Sequence, residues 1–449
     1  MTFSRKKTVL ILGAGITGLV SAYYLSKDFN VVIIEKENFL GGSAASFKYK
    51  EFALDFGPHK IYTELPGILE EIQALCPLTK IKKKNSIYLK GNYYDFPLKI
   101  GQIAVKMPMT AIKAGIDILS KPLSKRLDDS YENFLINRFG KTLYNLSFRD
   151  YAFKIWNSDP RELDKELAKR RVAVSGIFEL IKSVLLRDTK KISAEYFYYP
   201  ENGLNQLFES IVAKIKENNG KLLLNTPISE ISLKNNTINY IKFNNLKIKP
   251  DYIISTIHLD NLAKIIKPAN QISDDSLITY QKLNIIYFIL NKKRAMKDCW
   301  VFFPEKKFIF QRVSEQKAFS EKTGPKDKTA IMVETTQQIT EELMAKVIEQ
   351  LESAGILKKD EIEEHFVKSI PKAYPVYKKG FLENFKKTEL FFDSIENFYL
   401  LGRQGLFNYN NMDQCWDMAM KVAEQIKNNK TKEDWQITKR YFESYRIVD

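Results

Sequence analysis

The string GAGITG at residues 13–18 restricts what this chain can fold into more than any other feature of its sequence. It follows an apolar run at 8–12 that is typical of a buried strand, and it leads into a helical pattern at 19–26. A second apolar strand at 31–35 then ends in an acidic residue, Glu35. This order of strand, glycine turn, helix and strand predicts the opening β-α-β unit of a doubly wound parallel sheet.

Each glycine of the turn has its own physical role. Gly13 permits a tight turn, Gly15 allows the backbone to approach a pyrophosphate, and Gly18 allows helix and strand to pack closely. The N-terminus of the helix then directs N–H groups at the negative ligand, and the Glu35 carboxylate can accept hydrogen bonds from ribose hydroxyls. A structural glycine turn without a ligand is the alternative, but the surrounding strand, helix and glutamate favour a dinucleotide site.

A second glycine pair, Gly41-Gly42, follows shortly after Glu35. It would bring another stretch of backbone to the pyrophosphate, which FAD needs more than a nicotinamide dinucleotide does, because FAD is longer and lies deeper. An ordinary Gly-Gly loop is the alternative for this pair taken alone. We therefore predict FAD as the cofactor. The cofactor-binding residues predicted from this region are Gly13, Gly15, Ile16, Thr17, Gly18, Glu35, Lys36, Gly41, Gly42 and Ser43.

Charge and composition narrow the range of partners. Lysine and arginine number 70 against 54 for aspartate and glutamate, a net charge of +16, but the basic residues are dispersed in short groups without a nucleic-acid-binding motif. We interpret the excess as a solvated surface and expect no nucleic-acid partner. Three cysteines and three histidines lie too far apart for a disulfide framework or a metal site, which favours a reducing, cytoplasmic compartment. No run is long and apolar enough to span a bilayer, whereas peripheral contact with the inner membrane surface is left open.

The remaining pattern predicts two interleaved domains of an α/β protein. We assign a discontinuous, Rossmann-like FAD-binding domain to 1–64, 200–262 and 390–449, and an inserted α+β substrate or cap domain to 65–199 and 263–389. The elements predicted beyond the first unit are helices at 131–139, 162–186, 203–218, 340–354 and 413–427 (the last taken as the final helix), a hairpin at 86–97, and strands at 221–224, 228–233, 237–243, 251–257, 277–290, 299–303, 308–313, 329–336 and 397–402.

Three segments of the chain resemble the FAD-dependent amine-oxidase superfamily, which includes protoporphyrinogen oxidases, phytoene desaturases and UDP-galactopyranose mutases. They are residues 10–43, LDFGPH at 54–59 and LGRQGLFNYNNMD at 401–413. The segments 131–140 and 154–156 are similar to mutase-like members found in glycan-assembly pathways. The resemblance extends over most of the chain, and it implies an FAD enzyme of the protoporphyrinogen oxidase-like or UDP-galactopyranose mutase-like branch.

The resemblance implies four further residues at the flavin. The histidine of the Gly-Pro-His motif of mutases falls on His59, which would neighbour the flavin ring; a core histidine is the alternative. Gly402 would let its loop approach the isoalloxazine. Met412 and Asp413 would begin a helix whose N–H groups can face the pyrimidine oxygen of the flavin.

The resemblance also implies a substrate site. In mutases, an arginine and a tyrosine that fall on Arg403 and Tyr409 bind the substrate diphosphate, because a planar guanidinium pairs with phosphate oxygens. An ion pair is the alternative for Arg403. The sequence departs from mutases at Asn411, where an aspartate is usual, and at 196–200, where the string YFYYP has no arginine. We add Asn411 and Tyr198 to the substrate site, although the aromatic string also fits an apolar substrate or a plain core.

These observations predict an FAD-dependent oxidoreductase in which hydride passes to or from flavin N5, with no catalytic role assigned to a protein side chain. The predicted substrate is a small molecule, either a sugar nucleotide or a lipid-linked sugar in glycan biosynthesis. The alternative is a non-redox mutase, in which reduced flavin N5 attacks the anomeric carbon, UDP leaves and the sugar ring recloses at a different size. A third hypothesis, an FAD-stabilised binding or assembly protein, has no positive feature in the sequence.

Overall fold

A five-stranded parallel sheet is built around the first apolar strand, β1 (Thr8–Leu12). On one side of it lie β2 (Asn30–Ile34) and then β9 (Lys221–Leu223), and on the other side β13 (Tyr252–Ser255) and then β20 (Phe398–Leu400). Every neighbouring pair is parallel. Parallel sheets are covered on both faces, which explains why β1 is a continuous apolar run rather than an alternating one. The predicted doubly wound α/β class is therefore confirmed.

The structure is a computed structural model that describes residues 6–120, 128–171, 195–268, 278–445 and 447. The helix predicted at 162–186 is seen as α8 (Lys165–Arg171), and the rest of that prediction lies outside the described residues. Within the described ranges, none of the helices combines the length and the apolar character that crossing a membrane requires.

Three helices accompany the parallel sheet. Helix α1 (Ile16–Leu25) follows the glycine turn, α9 (Asn205–Glu217) precedes β9, and α14 (Met412–Lys427) follows β20. Helix α1 packs against both α9 and α14, and all but two of its residues are buried. An added Cβ atom at Gly402 would lie 3.0 Å from the Thr17 hydroxyl oxygen, so the loop before α14 reaches the first turn of α1.

The second large sheet has seven strands in the order β19 (Ile362–Val376), β15 (Thr279–Leu290), β18 (Thr329–Thr335), β17 (Arg312–Glu315), β16 (Trp300–Phe302), β6 (Asn85–Leu89) and β7 (Asn92–Asp95). Its pairings are antiparallel except the one between β16 and β6. Side chains alternate along β15, so Ile286 and Phe288 join one apolar core while Ile285 and Tyr287 join another. Both faces of this sheet are therefore covered near its middle.

Smaller elements complete the described chain. The strands are β3 (Ser46–Tyr49), β4 (Phe52–Asp55), β5 (Leu78–Lys82), β8 (Tyr196–Pro200), β10 (Ile228–Lys234), β11 (Thr237–Phe243), β12 (Leu246–Ile248) and β14 (Ile266–Lys267). The helices are α2 (Ile68–Leu75), α3 (Ile100–Lys106), α4 (Pro108–Leu119), α5 (Tyr131–Phe139), α6 (Lys141–Ser147), α7 (Arg149–Trp156), α10 (Leu259–Ile265), α11 (Glu341–Ser353), α12 (Phe381–Asp393), α13 (Gly402–Gly405) and α15 (Lys432–Phe442). Helix α6 contacts α4, α5 and α7, and α8 packs on α5.

The structure differs from the sequence prediction in several elements. Strand β19 has 15 residues where the sequence pattern predicts no strand, because Pro371 and Pro375 interrupt it. Among the described strands it pairs only with β15, and an edge strand tolerates a proline that lacks an N–H. The helix predicted at 413–427 is not the last one, because α15 follows it. Helix α12 is not predicted from the sequence. Strand β17 begins at Arg312, later than the predicted strand at 308–313.

The five strands of the parallel sheet all fall within 1–64, 200–262 and 390–449, the ranges assigned to the FAD-binding domain. The seven strands of the second sheet fall within 65–199 and 263–389. The division into two domains at those boundaries remains a prediction.

Asp55, at the end of β4, connects its hairpin to β8 through its buried carboxyl group and to β15 of the second sheet through its backbone carbonyl. The Tyr199 hydroxyl donates to Asp55 Oδ2 over 2.7 Å, and the Tyr287 hydroxyl donates to the Asp55 carbonyl oxygen over 2.7 Å. Gln316 Nε2 in turn donates to the Tyr199 hydroxyl oxygen. Burial raises the pKa of Asp55 to about 8, so the uncharged carboxylic acid is its predominant form at neutral pH.

Candidate functional site

The glycine turn and Glu35 form one hydrogen-bonded unit. The Gly13 N–H donates to the Ile34 carbonyl oxygen over 2.8 Å. Both oxygens of the Glu35 carboxylate accept backbone N–H groups, from Ala14 at 2.8 Å and from Glu37 at 2.9 Å. The carboxylate thus ties the first strand–helix turn to the end of β2. Each oxygen keeps a further lone pair that a ribose hydroxyl can use.

The two glycine segments lie against each other. The Gly41 N–H donates to the Ala14 carbonyl oxygen over 2.9 Å, and Gly15 forms a parallel bridge with Gly41. An added Cβ atom at Gly18 would lie 2.1 Å from the Gly13 carbonyl oxygen, so any side chain there would displace backbone. At Gly15 the nearest atoms to an added Cβ are 3.9 Å away. The N-terminus of α1 therefore keeps open backbone of the kind that a pyrophosphate needs.

His59 lies beside the second glycine segment. Backbone groups of Ser43 and Gly57 lie near its ring, while its Nδ1 is buried without a hydrogen-bond partner among the described residues. Burial, followed by the positive charges of Arg312 and Arg403, lowers the pKa of His59 to about 4. The imidazole is therefore neutral at physiological pH, and its buried edge is available to a ligand.

The start of α14 supplies a second buried polar group. Met412 and Asp413 are its first residues, and Asn411 is its N-cap, with its side chain accepting the backbone N–H of Gln414. Burial raises the pKa of Asp413 to about 6, and its Oδ1 has no hydrogen-bond partner within the described part of the chain. Because the Asn411 side chain caps the helix, its assignment to the substrate stays a prediction without support from this contact.

Arg403 follows Gly402 and carries a shielded guanidinium group. Its Nε is buried and has no hydrogen-bond partner, and no carboxylate pairs with it in the described ranges. Its charge lies over the Tyr409 ring, 5.1 Å from the centroid, and 5.9 Å from that of Tyr374. Arg171 also lies 5.1 Å from the Tyr409 centroid. Burial and the positive charge of Arg171 lower the pKa of Arg403 below its ordinary value.

The Tyr409 hydroxyl is hydrogen-bonded to two other groups of the protein. It accepts the indole N–H of Trp156 over 2.9 Å and donates its proton to the Pro375 carbonyl oxygen. Its ring is buried, and burial raises the pKa of its hydroxyl to about 12. Because the single hydroxyl proton is used, Tyr409 contributes a ring face beneath two arginines rather than a donor to a phosphate.

Arg312 is a third arginine of the site, but it is paired. Its Nε and Nη2 donate to the two oxygens of Glu334 over 2.7 and 2.9 Å. Glu334 is 1% exposed and also accepts the Tyr374 hydroxyl at 3.4 Å. The sequence alone does not indicate a role for Arg312 or Arg171, and it marks Trp156 only as part of the segment 154–156 that resembles mutases. The tertiary fold is what brings these three residues to Arg403 and Tyr409.

Helix α7, which carries Trp156, is fixed to the loop after β16 by the buried amine of Lys154, whose pKa burial lowers to about 7. Lys154 Nζ lies within hydrogen-bonding distance of four backbone carbonyl oxygens that share its N–H groups, those of Phe303, Glu305, Phe308 and Phe310. The carbonyl oxygen of Lys154 accepts the hydroxyl proton of Thr336 over 2.6 Å. The position of the Trp156 indole, whose N–H donates to the Tyr409 hydroxyl, therefore depends on contacts with the loop after β16 and with Thr336.

Two predicted residues lie at the margin of this arrangement. Tyr198 pairs with Ile61 through both backbone hydrogen bonds, two residues beyond His59, and its side chain is half-buried. Lys36 forms an exposed ion pair with Glu37 at 3.0 Å. Neither contact tests the assignment of Tyr198 to the substrate or of Lys36 to the cofactor, and both remain predictions. Among the described residues, no group of three acidic, histidine or cysteine side chains is arranged to hold a metal ion.

Comparison with known proteins identifies the family of this chain. Residues 16–298 match the family model described as flavin containing amine oxidoreductase, and this match covers more than half of the chain. The chain belongs to the flavin-containing amine oxidoreductase family. The predicted superfamily is therefore confirmed, and so is the prediction of a flavoenzyme that binds FAD.

The relatives of this family member include both mutases and oxidases. It is 24% identical over 176 residues to a probable UDP-galactopyranose mutase of Klebsiella pneumoniae, covering 36% of this chain and 44% of that protein. It is 25% identical over 255 residues to the coproporphyrinogen III oxidase of Staphylococcus aureus, covering 50% and 55%. The chain thus spans about half the length of these curated relatives. A crystal structure of reduced UDP-galactopyranose mutase shares the fold, with a TM-score of 0.81 over 95% of this chain and 96% of that one at 19% identity.

The residues of the site fit FAD. The open backbone at Gly15 and the adjoining glycine segment form a cradle for a pyrophosphate. The buried Nδ1 of His59 and the buried Oδ1 of Asp413 lack protein partners among the described residues, and the isoalloxazine ring has N–H and carbonyl groups that can satisfy such atoms. Which of the predicted side chains contact each part of the cofactor remains a prediction.

Proposed function

We propose that this flavoenzyme is an FAD-dependent oxidoreductase whose substrate carries a diphosphate, as a sugar nucleotide or a lipid-linked sugar in glycan biosynthesis does. One observation carries the proposal: the shielded Nε of Arg403 has no hydrogen-bond partner, and no carboxylate neutralises its charge within the described ranges. Arg171 places a second positive charge at the same aromatic ring. A phosphate is the natural counterion for the Arg403 guanidinium, and the positive charge of Arg171 at the same ring favours a second negative group nearby.

Different side chains would bind the substrate phosphate and the flavin. Arg403 would form paired N–H···O bonds with a phosphate, and the Tyr409 ring, held by Trp156 and Pro375, would keep the guanidinium in one orientation. His59 stays uncharged, so it would contact the flavin without adding positive charge to it. The bound FAD supplies a two-electron donor or acceptor. The side chains therefore orient a negatively charged substrate next to a redox group.

Non-redox isomerisation of a UDP-sugar is the second candidate. The observation that favours it is the state of the titratable groups near the arginines. Both oxygens of Glu334 accept from Arg312, and the low pKa of His59 makes it a weak base. Oxidation of a sugar hydroxyl releases a proton that a nearby base must take up, whereas an isomerisation releases no net proton. The family membership supports the redox reaction, and these side chains support the isomerisation.

A spectral titration tests the substrate class. UDP and a panel of UDP-sugars are added to the FAD-bound protein, first oxidised and then reduced with dithionite, and the flavin absorbance is recorded. We expect UDP to perturb the flavin spectrum in at least one state, and Arg403→Lys to weaken this binding, because an ammonium cannot form the paired bonds. If neither UDP, nor any UDP-sugar, nor a polyprenyl diphosphate perturbs the spectrum in either state, the diphosphate proposal is refuted.

Electron counting then separates the two reactions. In the redox reaction, product formation consumes an electron acceptor or donor in equal amount. In the isomerisation, the protein needs reduced flavin but turns over many substrate molecules without net electron flow. Turnover of a UDP-sugar under dithionite, with no acceptor consumed, would replace the first candidate by the second.

A further inference from the structure

Helices α3 and α4 carry an apolar face that no described part of the protein covers. Its side chains remain largely in solvent: Val105 is 82% exposed, Met109 66%, Ile112 57%, Ile116 59% and Leu119 83%. We call these five residues the apolar ridge. They are five of the fourteen large apolar side chains exposed in the described chain, although they lie within 15 residues, so the exposure is concentrated here.

The ridge follows the period of a helix. Met109, Ile112, Ile116 and Leu119 recur at spacings of three, four and three residues, which places them on one face of α4. Ala114, between them in sequence, is buried, and the Asp117 carboxylate accepts the Thr142 N–H at 2.5 Å. Helix α4 therefore docks on the cap through its other face, and its solvent face has the apolar pattern of a face that is buried against something else.

The positive charge near the apolar ridge favours an anionic surface as its binding partner. Lys113 is exposed on the ridge face between Ile112 and Ile116, and Lys106 is exposed at the end of α3. From residue 96 to residue 127 the sequence has six basic residues and one acidic residue, Asp117, whose carboxylate accepts the Thr142 N–H. One of the six, Lys99, pairs with Asp95 over 2.6 Å, so the other five provide the excess positive charge. A second copy of this surface would bring like charges together, whereas an anionic lipid surface supplies the opposite charge.

We propose that the apolar ridge docks this enzyme on the surface of an anionic lipid bilayer, with the five apolar side chains inserted at the boundary between headgroups and acyl chains. Helix α4 has 12 residues, about 18 Å, which is too short to span a bilayer and suits a helix that lies in the interface plane. The ridge contributes no residue to the arginine site, so this inference does not depend on the identity of the substrate.

Vesicle binding tests the proposal with the FAD-bound protein. We expect co-sedimentation with vesicles of phosphatidylcholine and phosphatidylglycerol in equal amounts, weaker binding to pure phosphatidylcholine, and release by added salt. Ile112→Glu and Ile116→Glu should each weaken binding by about tenfold or more, and Lys113→Gln by about fivefold. The flavin spectrum and melting temperature should not change, because these side chains are exposed.

A second surface provides matched controls. Leu246 is 63% exposed and is followed by exposed Lys247 and Lys249 on β12 and the turn after it. Leu246→Glu and Lys247→Gln should leave vesicle binding unchanged. A polarity-sensitive fluorophore on Ile112→Cys should shift to the blue with anionic vesicles, while the same dye on Leu246→Cys should not.

Three results would overturn the proposal. The first is no binding of the wild-type protein to either vesicle. The second is an equal effect of Ile112→Glu and Leu246→Glu, which would mean that the ridge has no special role. The third is a concentration-dependent dimer that Ile112→Glu abolishes while vesicle binding persists, which would identify a second copy of the chain as the occupant.

Discussion

Replacing Arg403 by methionine separates substrate binding from stability. Methionine keeps an unbranched apolar stem beside Tyr409 and Tyr374 but removes the charge. The protein would lose a cation–π contact of about 0.5–2 kcal/mol and would be relieved of a shielded charge without a carboxylate partner in the described ranges. These effects oppose each other, so we expect the unfolding free energy to change by less than about 1 kcal/mol.

Ligand binding should respond very differently. Loss of one charge-assisted contact costs about 1.5–3 kcal/mol, so Arg403→Met should raise the dissociation constant for UDP by roughly 10- to 150-fold. The control is Arg312→Met, which leaves Glu334, 1% exposed, as a buried charge without its partner. That variant should lose about 3–5 kcal/mol of stability. Both variants are compared by chemical unfolding at saturating FAD and by flavin-detected UDP titration.

The two arginine variants should differ in both unfolding free energy and UDP affinity. If Arg403→Met is destabilised as strongly as Arg312→Met, then Arg403 is a structural residue with a partner in the folded state. If it binds UDP as tightly as the wild-type protein, the free guanidinium is not a phosphate site. Either result refutes the interpretation of Arg403.

Three further predictions concern the cofactor and the buried carboxyl group. Gly15→Ala should fold normally but lose FAD, which is measured by flavin absorbance after gel filtration, whereas Gly18→Ala should yield little folded protein because its Cβ would lie 2.1 Å from the Gly13 carbonyl oxygen. Glu35→Ala should weaken FAD retention by roughly 10- to 150-fold, because a charged acceptor of backbone and ribose groups is removed; unchanged FAD content would contradict this. The pKa of Asp55 rises from 3.8 to about 8 on folding, so the unfolded chain ionises first and stability falls as the pH rises through this range. Asp55→Asn should therefore gain in unfolding free energy relative to the wild-type protein between pH 5 and 8, and a constant difference across pH would show that Asp55 does not titrate there.

The cofactor half of the site could be predicted because its signal is local. The turn at 13–18 and Glu35 are separated by only one helix, and the hydrogen bonds from Ala14 and Glu37 to that carboxylate stay within one β-α-β unit. Hydrophobic runs and glycine spacing carry this information without any long-range contact. The same holds for α5 and for the hairpin of β6 and β7, which lie where the sequence pattern predicts them.

The substrate half could be predicted only in part, because its partners come from distant segments. Trp156 reaches Tyr409 across 253 positions of the chain, and no periodicity in either segment predicts that pairing. The hydroxyl of Tyr409 therefore looks available in the sequence and proves to be engaged in the structure. Likewise Arg312 and Arg403 have the same chemistry, but β18 brings Glu334 beside Arg312, whereas no carboxylate of the described ranges reaches Arg403.

The four carbonyl oxygens around Lys154 have a consequence for how the site is assembled. Buried carbonyl oxygens gathered in this way need a donor between them, so we expect the loop at 303–310 to take this shape only with the Lys154 amine in place. That amine belongs to the helix that also carries Trp156. We therefore expect closure of the loop and docking of α7 to occur together, and the hydrogen bond from the Trp156 indole to the Tyr409 hydroxyl to form only when both are complete.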